Sequence, residues 1–310
     1  MAVTSQGTQR RFPSPLRYPG GKGKVSNFIK LLFLENNLVG GEYVEPYAGG
    51  ASVALSLLFD DYADHVHIND IDPAVYAFWS AVLDNTDNLC RLIRDTNVNT
   101  DEWQRQRDIQ ASLDPDPLDL AFSTFFMNRT NRSGIITGGI IGGRSQNGTW
   151  KLDARYNRDE LIRRIRKVGR FRNRITLSCL DAIAFLQPWC EISAPRGLVY
   201  LDPPYYAKGS DLYRNFYGPK DHAEVAKTVE SLRVPWLVSY DAVPQILRLY
   251  QNDERVRYSL AYSAGTRGRG AEVMFFSQDL QVPEVQSPAG VPLSVIDNEV
   301  LAKSKVGRTR

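Results

Sequence analysis

Cysteine and histidine are scarce in this chain, three of each in 310 residues. Cys90, Cys179 and Cys190 make no paired framework and no CxxC, so isolated reduced thiols in or near the core are expected. His65 and His67 alternate along an apolar run, with no carboxylate or cysteine at ligand spacing, and no metal site is expected. No apolar run approaches the roughly 18 residues of a membrane span, and MAVTSQGTQRRFPSP has no apolar signal core. The expectation is a cytoplasmic protein without a membrane partner. Excess charge is also small: 38 basic against 35 acidic residues, a net +3, which does not argue for nucleic acid. What is present, 43% hydrophobic and 24% charged residues, is the composition of an ordinary globular protein. The length suits one large domain or a domain carrying an insertion.

Charge distribution says more than its sum. From Arg155 to Arg174, RYNRDELIRRIRKVGRFRNR, the only acids are Asp159 and Glu160, a stripe suited to a phosphate backbone. A second feature, RYPGGKGKVS at Arg17 to Ser26, has the composition of a phosphate-cradling loop. Its spacing excludes a P-loop: Tyr18 stands where the first glycine belongs, and Val25 replaces the magnesium-binding hydroxyl.

Short apolar runs, each ending near an acid and followed by a helical pattern, predict an α/β fold on a mostly parallel sheet. YVEP, HVHIND, ITLSCLD, LVYLDPPY and WLVSYD are the first five strands. Glu45, Asp70, Asp181, Asp202 and Asp241 then gather on the rim where open α/β sheets bind ligands. RVRYSLAYS and AEVMFFS read as an antiparallel hairpin at the sheet edge. About a hundred residues separate the second and third strands, far more than one crossover requires. Residues 74–172 are therefore read as an inserted helical domain, with a β-hairpin signalled by Asn147-Gly148 within GIITGGIIGGRSQNGTWKL. Residues 1–73 and 173–280 form the main domain, and 281–310 a loosely ordered tail.

VYLDPPYY is the sharpest motif. Two prolines at a strand's carboxyl end fix φ twice and remove two donors, presenting carbonyls without intervening N–H groups. With Asp202 at one side and Tyr205 at the other, Asp202 to Tyr205 (with Pro203 and Pro204) make a box for a planar group bearing an NH₂: acceptors in the wall, and a ring for stacking. In YVEPYAGGASVAL, a glycine turn after a strand permits close approach of a cofactor to the backbone. Asp70 ends the next strand, where an acid commonly takes ribose hydroxyls. Asp72 before Pro73 reads as a helix N-cap.

RYPGGKGK, YVEPYAGGASV, HINDID, FFMNRTNRSG and VYLDPPYY, in that order, resemble the Dam-type adenine-specific DNA methyltransferases. The resemblance implies a class I, Rossmann-like methyltransferase sheet of seven strands, with an inserted helical DNA-recognition domain carrying a β-hairpin. It implies S-adenosylmethionine as cofactor, no metal, and double-stranded DNA as partner. Tyr18 and Lys22 would contact the cofactor, Lys22 at its methionine end. Tyr43, Glu45 and Gly49 would line the cleft, Asp70 with Ile71 would serve the ribose, and Asp181 the adenine moiety. Asp202 to Tyr205 would hold a flipped target adenine. The Asn128-Arg129 pair is kept, whereas the usual FNxPFG ending of the hairpin is replaced by GTWKLDARYNR, so a GATC site is not implied. Arg129, Arg132 and Arg144 suit phosphate or guanine, Asn131 and Asn147 suit adenine edges, and Asn128 joins them as a DNA-binding residue. Cytosine N4, an RNA adenine, a protein amide, or a DNA-binding module without catalysis remain alternatives, and a cognate restriction enzyme is undetermined.

Overall fold

The computed structural model describes residues 13–17, 22–191, 196–206, 217–262 and 268–306. Seven strands form one sheet: β1 Gly41–Glu45, β2 Ala63–Asn69, β3 Ile175–Ser178, β4 Gly197–Leu201, β5 Trp236–Asp241, β6 Glu254–Tyr262 and β7 Gly268–Phe276. Their order is β3-β2-β1-β4-β5-β7-β6. The first five run parallel, and β7 lies antiparallel between β5 and the edge strand β6. This is the class I methyltransferase sheet.

Covered on both faces, the central strands read as apolar runs rather than as alternating patterns. In β4, Leu198 and Tyr200 join one core layer, and Val199 and Leu201 the other. All five acids expected on the rim stand at or just after the carboxyl ends of β1 to β5.

Between β2 and β3 the chain forms α3 Pro73–Asp84, α4 Thr86–Asp95, α5 Thr100–Ala111, α6 Pro117–Thr130 and α7 Arg158–Arg170. Asp72 caps α3 as expected, accepting from Ala74 N–H at 2.9 Å with Pro73 at the first turn. Helix α6 is buried from Ala121 to Thr130, and Phe125 stacks on Phe78 of α3 at 6.2 Å. These side chains belong to the same hydrophobic cluster as one face of the sheet. The helices therefore share a core with the sheet.

Three expectations require correction. No β-hairpin stands in residues 131–157 among the described residues; a single bridge pairs Asn131 with Ile140. Gly134, Gly142, Gly143, Ser133 and Gln146 all have positive φ, and that handedness turns the chain out of any extended ladder. Gln146 stitches the turns together, donating to Ile141 O at 2.8 Å and accepting from Leu152 N–H at 2.8 Å. The segment from 281 onward is docked rather than loose. Leu280, Val291 and Ile296 enter the core, Asn27 of α1 (Ser26–Glu35) donates to Val291 O at 2.7 Å, and Asn36 brackets the backbone of Gln281. Helix Leu293–Val306 follows. The proline-rich composition disguised these few apolar anchors. Finally, all three cysteines are free thiols, but Cys179 is exposed and only Cys90 is buried.

Candidate active site

The carboxyl ends of β1, β2 and β3 are fastened by one side chain. Asn69 donates to Pro46 O at 3.0 Å and to Leu180 O at 2.9 Å, and accepts from Leu180 N–H at 2.9 Å. Beside it, Asp70 accepts from Gly49 N–H at 2.8 Å and Asp72 N–H at 3.0 Å. Gly49 adopts φ +45°, and its carbonyl accepts from the Trp79 indole at 2.9 Å. The glycine turn is thus held from both sides in a left-handed conformation that glycine adopts freely.

Glu45 accepts from Ala54 N–H at 3.3 Å, in the first turn of α2 (Ser52–Phe59). Burial pushes its carboxyl well above the usual range despite that bond. Asp70 is likewise raised by burial, to about 6, against the pull of its two backbone donors. The Tyr43 hydroxyl is buried close to the Glu45 carboxyl, and burial, with Glu45 adding to it, raises its pKa well above the usual phenol range. Ile71 is exposed. Asp181 is exposed and caps the helix Ala182–Glu191, accepting from Ile183 N–H at 2.9 Å. Tyr18 lies outside the described residues.

A second cluster stands at the end of β4. The 3-10 turn Lys22–Lys24 carries the Lys22 ammonium into the interior, 3.1 Å from Asp202 Oδ1 and 2.7 Å from Glu272 Oε2. The ammonium also lies 5.3 Å from the centre of the Tyr205 ring. Ser239 of β5 donates to the same Asp202 oxygen at 2.9 Å. Burial alone would lower the lysine's pKa, but Asp202, Tyr258, Tyr205 and Glu272 outweigh it and hold the ammonium charged. Burial raises the Asp202 carboxyl, with Glu272 adding to the rise and Lys22 opposing it. Pro203 and Pro204 are buried beside it. Sequence reasoning missed Glu272, Tyr258 and Ser239. The signal for Glu272 was one charge among Met274 and Phe276 on an inward face of β7, where period two predicts an apolar residue.

The residues expected to read DNA divide into two groups. Asn128 and Asn131 are buried with every amide group paired. Asn128 accepts from Arg17 N–H at 2.8 Å and donates to Arg17 O at 2.6 Å and Gly134 O at 2.8 Å. Asn131 accepts from the Trp103 indole at 2.7 Å and donates to the carbonyls of Ile135 and Ile136. Arg129 is buried and donates to Pro15 O at 2.8 Å. Burial, with Arg164, Arg17 and Arg155 nearby, lowers its pKa to about 9. Asn128 and Arg129 hold the backbone of residues 15–17 and Asn131 holds its own turn; the amide groups of the two asparagines are thereby committed. Arg132, Arg144 and Asn147 stand exposed, as do Trp150 and Arg155, whose guanidinium lies 5.7 Å from the Trp150 ring.

The basic stripe is less lopsided than its local sequence. Glu160 pairs with Arg163 and Arg164, Asp84 with Arg172, and Asp61 and Asp64 with Arg174. Asp61, Asp64 and Asp84 are brought in by the fold, where a local count cannot see them.

Residues 18–263 match the family model of the D12 class N6 adenine-specific DNA methyltransferases. No curated protein sequence matches the chain. Among solved structures, a candidate RNA methyltransferase from Pyrococcus horikoshii superposes with a TM-score of 0.40 at 9% identity, covering 84% of each chain. A candidate class I S-adenosylmethionine-dependent methyltransferase from Listeria monocytogenes superposes with a TM-score of 0.40 at 10% identity, over 96% of this chain and 72% of that one. Likeness at this level does not bear on what the chain acts on.

Proposed function

The chain belongs to the D12 class N6 adenine-specific DNA methyltransferases, and from that premise we propose that it methylates the exocyclic amine of an adenine turned out of double-stranded DNA, with S-adenosylmethionine as donor. The observation that carries this reading is the half-occupied Asp202 carboxylate. Its Oδ1 is taken by Lys22 and Ser239, while Oδ2 has no partner among the described residues. That oxygen and the Pro203 carbonyl can accept the two amine protons. Doing so localises on N6 the lone pair that adenine otherwise shares with its ring. Positioning and fixed dipoles then supply most of the acceleration.

The donor's site is supported by the turn that joins β1 to α2. Its residues fit the group: Asp70 and Glu45 offer carboxylates to hydroxyls, and the left-handed Gly49 opens the backbone. Bound there, S-adenosylmethionine supplies the methyl: the N6–C bond forms, the C–S bond breaks with its pair remaining on sulfur, and N6 releases a proton to water. A stacked base cannot reach Asp202, so the target must leave the helix at a cost of a few kcal/mol.

Incubation of duplex DNA with labelled S-adenosylmethionine, followed by nucleoside analysis, is expected to give N6-methyladenine. Label in N4-methylcytosine, or in RNA alone, would overturn the reading.

Two further outcomes are expected. Cofactor affinity should weaken as pH falls through about 6, because hydroxyls donate to the ionised Asp70 and a proton there competes with them; the loss approaches about tenfold per pH unit below that point. Titration calorimetry with S-adenosylhomocysteine between pH 5 and 8 reads it, and Asp70→Asn should bind weakly with that limb gone. DNA affinity should fall log-linearly with salt, by roughly 0.9 per phosphate neutralised. Arg144→Ala and Arg155→Ala should each reduce the slope by about 1, and unchanged slopes would remove these two residues from the DNA face.

A further inference from the structure

Glu272 lies beyond the matched residues 18–263, yet it is the most connected carboxylate of the interior. It is fully buried on β7, cross-strand from Asp241 on β5 and Tyr258 on β6. Lys22, Tyr205 and Tyr258 all donate to it. Lys22 Nζ and the Tyr258 hydroxyl reach Oε2, each at 2.7 Å, and the Tyr205 hydroxyl reaches Oε1 at 2.7 Å. Two of the three belong to the proposed site. Lys22 is shared between Glu272 and Asp202, with the shorter contact to Glu272. Tyr205 is the stacking ring of the DPPY box, anchored at its far end.

Resting on the methyltransferase reading, we infer that Glu272 is a positioning residue for the transfer step: it draws the Lys22 ammonium off Asp202 and fixes the Tyr205 ring, so that the Asp202 carboxylate stays open to the target amine. The physical reason is competition for one anion. A buried ammonium with two carboxylates in reach divides itself between them. With one neutralised it settles on the other, because an unpaired buried charge costs several kcal/mol. In the absence of the Glu272 charge, Lys22 closes on Asp202 and blocks the acceptor by which the amine is activated. Tyr205 also loses its charged acceptor, which weakens the hold on its ring.

The pH dependence follows the same geometry. Asp202 is faced by Lys22 from the 3-10 turn, Tyr43 and Glu45 from β1, Tyr200 from β4, Ser239 from β5 and Glu272 from β7, while Tyr258 from β6 and Tyr205 face Lys22. Of these, Glu272 raises the Asp202 carboxyl and Lys22 lowers it. Removing the Glu272 charge while Lys22 moves closer shifts Asp202 downward on both counts.

The test is steady-state and single-turnover methylation of duplex DNA by the full chain, as Glu272→Gln and Glu272→Asp, with thermal melting and S-adenosylhomocysteine affinity measured alongside. Glu272→Gln keeps the shape and removes the charge. It is expected to lower kcat by about 10- to 100-fold, with KM for both substrates within about threefold, and to move the acid limb of kcat to lower pH. Glu272→Asp keeps the charge but shortens the arm. It is expected to restore melting and the acid limb while leaving kcat at least about tenfold down, since the shorter arm no longer reaches the Tyr205 hydroxyl. Wild-type turnover in both variants, or an unmoved acid limb in Glu272→Gln, overturns the inference while leaving the methyltransferase reading in place. Loss of the fold in both variants assigns Glu272 to stability alone and also overturns it. An inactive wild-type chain removes the reading and this inference together.

Discussion

Asp202→Ala is expected to reduce methyl transfer by at least about 10²- to 10³-fold, the loss that follows removal of one preorganised hydrogen-bonding group from a reacting centre, while the affinity for DNA changes little. The deleted carboxylate contacts Lys22 and Ser239 and no exposed cation. The fold should survive, because Lys22 keeps its shorter contact to Glu272 and no buried charge is left alone. Cofactor binding should also survive, because Asp70, Glu45 and the glycine turn lie on neighbouring strands. The measurement is a pair of assays on one preparation, methyl incorporation and DNA binding by anisotropy. Near-normal N6-methyladenine formation would sink the assignment of Asp202, and lost DNA binding would show that the substitution acts through the fold.

The second large effect is on stability. Lys22→Met is expected to destabilise the protein by about 3 to 5 kcal/mol at pH 8, the cost of stranding buried charge when its partner is removed. Two carboxylates, Asp202 and Glu272, would then face each other in the interior without a cation. The sign with pH can be worked through. Asp202 is already raised by burial, and without Lys22 it rises further. The native state then holds a proton that the unfolded chain releases, so stability falls as pH rises through the native value. The deficit against wild type should shrink at pH 5.5 and widen at pH 8, read from urea midpoints at both. An equal deficit at the two pH values would contradict a charge origin. Activity should be lost at either pH.

Much of this was legible because strand ends announce themselves. Each of the five parallel strands closes near an acid, and DPPY has little to do but form a donor-poor turn. The N-cap at Asp72 could be read from Asp-Pro alone. What stayed hidden was long-range. Asn128, Asn131 and Arg129 have the chemistry of base readers, and only the fold reveals that the two amides are fully paired within the protein and that Arg129 is buried against Pro15. Glycines around 134–148 suggested a hairpin, but hairpins need positive φ only at the turn, and here it recurs along the segment. The tail was misjudged because its apolar anchors Val291 and Ile296, with Asn27 on α1 and Asn36 just after it, outweigh its composition.

The 250-residue separation between Lys22 and Glu272 has a consequence for the order in which the molecule is made. β7 is translated last among the strands but sits inside the sheet, between β5 and β6. A ribosome-bound chain that has not yet released β7 lacks the carboxylate that anchors both the lysine and the tyrosine. Such long-range pairing is also slow to form, since loop closure is met before the contacts reward it. Under the role inferred for Glu272, the site is completed only when β7, the last strand made, slots in between β5 and β6 and closes the circuit.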